Sequence, residues 1–308
     1  MANHRFGLSC LGGMALAAGL LLWPGAVGAR SASPVAPPGA PSKGAVNGPR
    51  ALADGEVVRI DTSPPEPCRV DLGPLSLVAS PAADGGSFDA TLYDAGRKVD
   101  ASATGFVFLG AGRPVADVPL PGCQSRRVEL FSGGANCCST YYLLGSCPSG
   151  PFAVYVDSGS KSFMEDAVGL GADGSVRAFP VTDPVFQSYG PDLPGATNWV
   201  SFSTADSPAV SRFMVFENGA WRMDRVGEFP QAYDDLIAKI PAQHSVSPAS
   251  AAVARAYYTA MKGEPALPVL EAALPPDWQP FRAVINADIL RAVGGFNPIH
   301  TIRLEDAP

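Results

Sequence analysis

Short apolar runs, separated by Gly, Pro, Asp and Ser, recur from about Glu56 to Phe229. Runs of this length, rich in β-branched and aromatic residues and bounded by turn formers, read as strands. They fall at Val57–Ile60, Leu75–Ala79, Phe88–Tyr93, Gly105–Leu109, Arg127–Phe131, Thr140–Leu144, Phe152–Val156, Val176–Phe179, Asn198–Phe202 and Arg212–Phe216. In the last run Phe213 and Val215 share one face and Met214 and Phe216 the other, so both faces are apolar. Asn218-Gly219 follows and supplies the positive φ angles of a type I′ turn. A hairpin buried on both sides is predicted there. Asp173-Gly174 marks a second tight turn, between Val168–Leu170 and Val176–Phe179.

After Gly227 the period changes. Tyr233, Leu236, Ile237 and Ile240 follow a helical spacing that stops at Pro241. Ser247-Pro248 opens the next helix, with serine as cap and proline in the first turn. Val253, Tyr257 and Met261 recur every four residues, and Gly263 ends the segment. Leu267, Leu270 and Leu274 indicate another short helix. A last one is expected to be capped by Asp277, to carry Phe281, Ile285 and Ile289 on one face, and to stop at Gly294-Gly295. The pattern predicts a mainly β fold, antiparallel and sandwich or propeller-like, over 51–230, with a C-terminal α-helical segment over 231–308. A four-helix unit this small has a marginal core by itself, so the helices are expected to pack on each other and on the β body.

The N-terminus follows another pattern. Arg5 precedes an apolar run from Phe6 to Trp23, then Pro24-Gly25 and the small residues Val27-Gly28-Ala29. This is the layout of a secretory signal, with cleavage expected after Ala29. Residues 30–50 are rich in Pro, Ala and Gly and cannot bury enough apolar area to offset ordering, so a disordered linker is expected. No other window is long and apolar enough to span a bilayer. The expected location is periplasmic or secreted.

Charge narrows the function. The chain has 308 residues, 22 Lys and Arg against 29 Asp and Glu, and a formal charge of −7, which loss of Arg5 would make −8. The only basic pairs are Arg97-Lys98 and Arg126-Arg127, too few for a phosphate-binding patch, so no nucleic-acid partner is expected.

Five cysteines follow the signal: Cys68, Cys123, Cys137, Cys138 and Cys147. An oxidising compartment favours their pairing, and an odd number leaves at least one free or bonded to another chain. Cys137 and Cys138, as strand neighbours, would face opposite ways. One is expected to close the short loop to Cys147, the other to reach back to Cys123 or Cys68. There is no CxxC pair, and His244 and His300 are the only histidines beyond the signal, so no metal or redox cofactor is expected.

The block Ser132-Gly133-Gly134-Ala135-Asn136-Cys137-Cys138, followed by an aromatic-rich strand, resembles a segment of uncharacterised exported bacterial proteins. There it often reads SGGAHCC, within propeller-like or other β-rich domains. Asn136 replaces the usual histidine, which weakens any ligand role at that position. A vaguer likeness lies at Phe213–Met223. The resemblance implies a β-rich exported domain and carries no activity with it.

No GxSxG, HExxH or phosphate-loop motif is present. The adjacent acids Glu165-Asp166 and Asp234-Asp235 do not converge by spacing, and Asp84, Asp94 and Asp173 stand singly beside glycine, as turn residues do. The expectation is a non-catalytic exported protein whose disulfide-stabilised β scaffold binds an envelope protein or glycan through loops. The alternative is a hydrolase acting on envelope polymers through carboxylates such as Glu165, Asp166 or Asp157.

Overall fold

The computed structural model describes residues 48–304, apart from 60–65, 84, 134–138, 158–163, 172, 197–198, 204 and 241–246. The expected signal, most of the expected linker, Asp84, Asn136, Cys137, Cys138 and His244 lie outside the described residues.

Alternation along the strands builds three sheets that stack face to face. The first has the order β1 (Arg50–Ala51), β3 (Cys68–Leu72), β4 (Leu75–Pro81), β5 (Phe88–Asp94), β6 (Arg97–Phe106). The second runs β15 (Ile299–Ile302), β10 (Gly150–Val156), β9 (Ser139–Cys147), β8 (Gln124–Phe131), β7 (Phe108–Ala116), β2 (Val57–Arg59). The third is β11 (Val168–Leu170), β12 (Val176–Asp183), β13 (Val210–Glu217), β14 (Ala220–Met223). Among the described residues only the short β1–β3 pairing is parallel.

The first sheet turns Val70, Leu75, Leu77, Phe88 and Leu92 inward, against Leu109, Val128, Leu130, Tyr142 and Leu144 of the second. The second sheet's other face presents Tyr141, Leu143, Val154 and Val156 to Phe179, Val181, Met214 and Trp221 of the third. The second sheet is therefore covered on both sides, and β9 is buried without a break from Tyr141 to Gly145. Gly145 cannot be larger: a Cβ there would lie 1.9 Å from the Phe152 ring.

Helices form the fourth layer, over the third sheet. α1 (Pro230–Lys239), α2 (Pro248–Met261), α3 (Leu267–Ala273) and α4 (Arg282–Gly295) share a core with Ala178, Phe213 and Val215. α2 is the central one. Its many alanines leave it buried nearly all round, and Ser247 caps it by accepting a hydrogen bond from the Ser250 N–H at 3.2 Å.

The fold is thus mainly β with a C-terminal helical segment, and the β13–β14 hairpin turns at Asn218-Gly219, both at positive φ. Its two faces are buried as the pattern predicts, Phe213 and Val215 toward the helices, Met214 and Phe216 toward the second sheet. Other details differ. Residues 105–109 straddle the junction of β6 and β7 at Val107. The described part of the Asn198–Phe202 run is irregular, because Val200 and Phe202 are drawn into the helical core and Phe202 stacks on Trp278 at 4.4 Å. Asp277 does not cap α4, which starts directly from a 3-10 turn at Gln279–Phe281. The Asp173-Gly174 turn is present, the Gly174 N–H donating to the Gly171 carbonyl at 3.2 Å, but it sits in a longer connection than a two-residue hairpin, since Leu170 pairs with Val176. Arg50, the last residue of the expected linker, already pairs in β1. The C-terminal segment is helical only to Gly295, after which Ile299–Ile302 returns as β15 and pairs with β10.

A buried polar cluster joins the third sheet to the helices. Arg212 Nε donates to Asp224 Oδ1 at 3.1 Å, and Arg212 Nη1 donates to the Val293 carbonyl of α4 at 3.1 Å. Tyr233 of α1 donates to Asp224 Oδ2, and Tyr257 of α2 donates to Asp183 Oδ2 at 2.7 Å. Burial pushes the carboxyls of Asp183 and Asp224 above their ordinary values, while the nearby Arg212 charge pulls both down. Asp224 also accepts from Arg212 and the Phe213 N–H, so its carboxylate is fully engaged.

Candidate binding cleft

The third sheet does not cover the whole inner face of the second. In the β8–β9 ladder Arg127 lies opposite Leu143, and Glu129 opposite Tyr141. Leu143 lies in the core with the third sheet, whereas Arg127, Glu129 and the edge of Tyr141 line an open cleft of about 830 Å³. Its other walls are residues 164–168, Pro208, Ala209 and Ser211, together with Leu236, Lys239 and Ile240 around α1 and Ala254 and Tyr258 of α2. Alternation places Arg126 on the opposite face of β8, where its guanidinium donates to the Gly112 and Asp71 carbonyls and pairs with Asp54. The basic pair of the sequence is therefore split between two layers.

The wall is ordered by its own contacts. Arg127 pairs with Asp166 at 3.3 Å, donates to the Met164 carbonyl, and lies over the Tyr141 ring, 5.8 Å from its centroid. Glu129 Oε1 accepts from Ser139 Oγ at 2.9 Å and from the Tyr141 hydroxyl at 3.4 Å. Tyr258 accepts from the Ser211 N–H at 3.1 Å. Burial pushes the Tyr141 and Tyr258 hydroxyls up to about 12, so both keep their protons at neutral pH. Glu165 and Lys239 differ from these groups: among the described residues neither side chain has an ionic partner within 4.0 Å. The cleft thus has an apolar base of Met164, Val168, Leu236 and Ile240, a pre-paired guanidinium, and two uncommitted charges of opposite sign.

Of the acids read from the sequence, Glu165 and Asp166 reach this cleft; Asp157 does not line it, its backbone N–H donating to the Pro298 carbonyl beside β15. Asp234 pairs with Lys262 at 2.7 Å and Asp235 accepts from Gln231 at 3.3 Å, both on α1. Asp94 and Asp173 serve turns, through Arg97 and the Ser175 N–H. His300 is exposed on β15, its ring 6.0 Å from that of Tyr155. Sequence reading missed Arg127, Glu129 and Lys239. The alternation Arg127-x-Glu129 was visible, but which face stayed uncovered was not. Among the described residues no three His, Cys, Asp or Glu side chains gather as metal ligands, and no helix is long and apolar enough to cross a membrane.

The cysteines pair differently from the expectation. Cys147 is bonded to Cys123, so it takes neither Cys137 nor Cys138 as partner. The register explains this: Gln124 lies opposite Ser146, which brings Cys123 and Cys147 together at the open end of the β8–β9 hairpin, while Ser139 stands at the other end. Cys68, another disulfide candidate, is a free thiol. It lies in the core between the first two sheets, where burial raises its thiol above the ordinary value, and it behaves as a small hydrophobe.

Two smaller grooves, of about 550 and 470 Å³, run beside β14 and β15 and share Trp221 and Thr301. The smaller is walled by the packed rings of Phe152, Phe216 and Trp221, and in the larger the guanidinium of Arg222 is already held by Glu217 and Glu228.

The fold and cleft define a class: a mainly β, four-layer protein with a Cys123–Cys147 disulfide and an open, mixed-charge cleft beside its helices. No family model, curated protein or solved structure matches the chain, so the functional reading stands on its own residues.

Proposed function

We propose that the chain is an exported, non-catalytic envelope protein, periplasmic or secreted, that binds a partner protein or glycan in the cleft between β8–β9 and α1–α2. The carrying observation is a cleft of about 830 Å³ in which two of three carboxylates are already engaged, Glu129 by hydroxyls and Asp166 by Arg127. Sites of roughly 300–1,000 Å³ are ordinary for specific ligands, and committed carboxylates orient a wall rather than act as acid and base. Support for export comes from the signal-like N-terminus, the Cys123–Cys147 bond, and the resemblance of Ser132–Cys138 to exported β-rich proteins. Fractionation with N-terminal sequencing tests this: mature protein beginning at Arg30 outside the cytoplasm is expected, and uncut cytosolic protein would contradict it. Binding is tested by crosslinking in intact cells, where the double variant Glu165→Lys/Lys239→Glu should alter the adducts.

A hydrolase acting on envelope polymers is the second reading. It is favoured by the gathering of Glu129, Glu165 and Asp166 in one cleft. Turnover of envelope polymer that vanishes in Glu165→Gln would establish it over binding alone.

A further inference from the structure

We infer that the cleft takes a short peptide segment with an ammonium group at one end and a carboxylate at the other. This rests on the reading of the cleft as a binding site and adds the ligand's chemistry. Three observations carry it. First, the cleft is walled by both charge signs, and its two uncommitted groups, Glu165 and Lys239, come from different elements: the segment before β11 and the last residue of α1. With no ionic partner among the described residues, they do not neutralise each other across the gap. A ligand bringing one charge of each sign completes both, and a ligand with a single charge leaves one wall unmatched.

Second, the surface between them suits a peptide. Met164, Val168, Leu236 and Ile240 offer apolar area for a side chain. The Tyr141 and Tyr258 rings are almost wholly buried, so among the described residues the cleft offers no open aromatic face on which a sugar ring would stack. Third, Arg127 is held by Asp166, the Met164 carbonyl and the Tyr141 ring. Its charge is largely satisfied, which leaves Lys239 as the carboxylate anchor and Glu165 as the ammonium anchor. Extra side-chain charge on the ligand is not required.

The test uses the full mature chain and a degenerate tetrapeptide library in three forms: free termini, N-acetylated, and C-amidated. Binding is read by affinity selection with mass spectrometry and then by calorimetry on the selected peptides. The free form should bind, with either blocked form weaker by about fivefold, as befits one charge pair at a wet rim. In Glu165→Gln the acetylated and free peptides should bind equally, and in Lys239→Gln the amidated and free peptides should. Both variants lie on the surface, and unchanged thermal unfolding controls for folding. Equal binding of all three forms to the unaltered chain would overturn the inference, as would selection of no peptide. The reading beneath it fails separately: if neutral glycan oligomers bind in the cleft and peptides do not, the cleft remains a binding site and only the peptide assignment falls. If neither binds and the in-cell adducts ignore Glu165 and Lys239, both fall.

Discussion

Leu143 and Arg127 are cross-strand partners on one face of one sheet, yet they lie in different environments. Leu143 is wholly buried beneath the third sheet; the Arg127 side chain keeps about a quarter of its exposure and edges a cleft. The boundary between core and cleft runs between two opposite residues. Strand alternation decides which face a residue takes, but the extent of the covering layer decides whether that face is interior. Here the third sheet stops short, and the helices, hung from it by Asp224 and Asp183, wall the gap instead of filling it.

The largest way to break this contrast is to release the helical wall. Asp224→Ala leaves Arg212 buried without its partner and Tyr233 without its acceptor, at an expected cost of about 3–5 kcal/mol by denaturant unfolding. Removal of the hairpin clasp comes next. Cys123→Ala with Cys147→Ala opens a link between residues 24 apart, worth about 3–4 kcal/mol in the chain-entropy account. Leu143→Ala, on the covered side, should cost about 3 kcal/mol, within the usual range for a leucine lost from a tight core.

A smaller effect is expected from pH. Asp183 is held above its unfolded value by burial, so the folded chain binds that proton more tightly than the unfolded chain does. Its contribution therefore favours folding at low pH. It declines as pH rises from the unfolded carboxyl value, about 3.9, through the raised folded value. Asp183→Asn should flatten this part of the curve in urea titrations repeated across pH; an unchanged slope would show that Asp183 is not its source. The smallest effect belongs to the open side: Arg127→Ala should change stability by less than about 1 kcal/mol, and a loss as large as that of Leu143→Ala would erase the distinction between the two regions.

The β-rich body, the helical end and their local punctuation were legible in the sequence because they are local. Asn218-Gly219 and Ser247-Pro248 specify a turn and a helix start within four residues, and the structure has both. Features that depend on distant pairing were not legible. Ile299–Ile302 becomes a strand only because β10 offers an edge after the chain has passed through four helices. Cys123 meets Cys147 because of the β8–β9 register, which cysteine spacing does not encode. Asn198–Phe202 reads as a strand by composition, but Val200 and Phe202 of its described part serve the helical core and Trp199 is exposed. The cleft fell between these cases. Glu165 and Asp166 were visible as acids, while Lys239 read as the ordinary end of a helix and Arg127 as half of a basic pair.

The most direct measurement places a photo-crosslinking side chain at Ala209, in the cleft wall, and at Leu120, an exposed site that does not line the cleft, in intact cells. The account predicts a discrete adduct from Ala209 that weakens when Glu165 and Lys239 exchange charge, and none shared with Leu120. Identical adducts from both positions, indifferent to those charges, would contradict it.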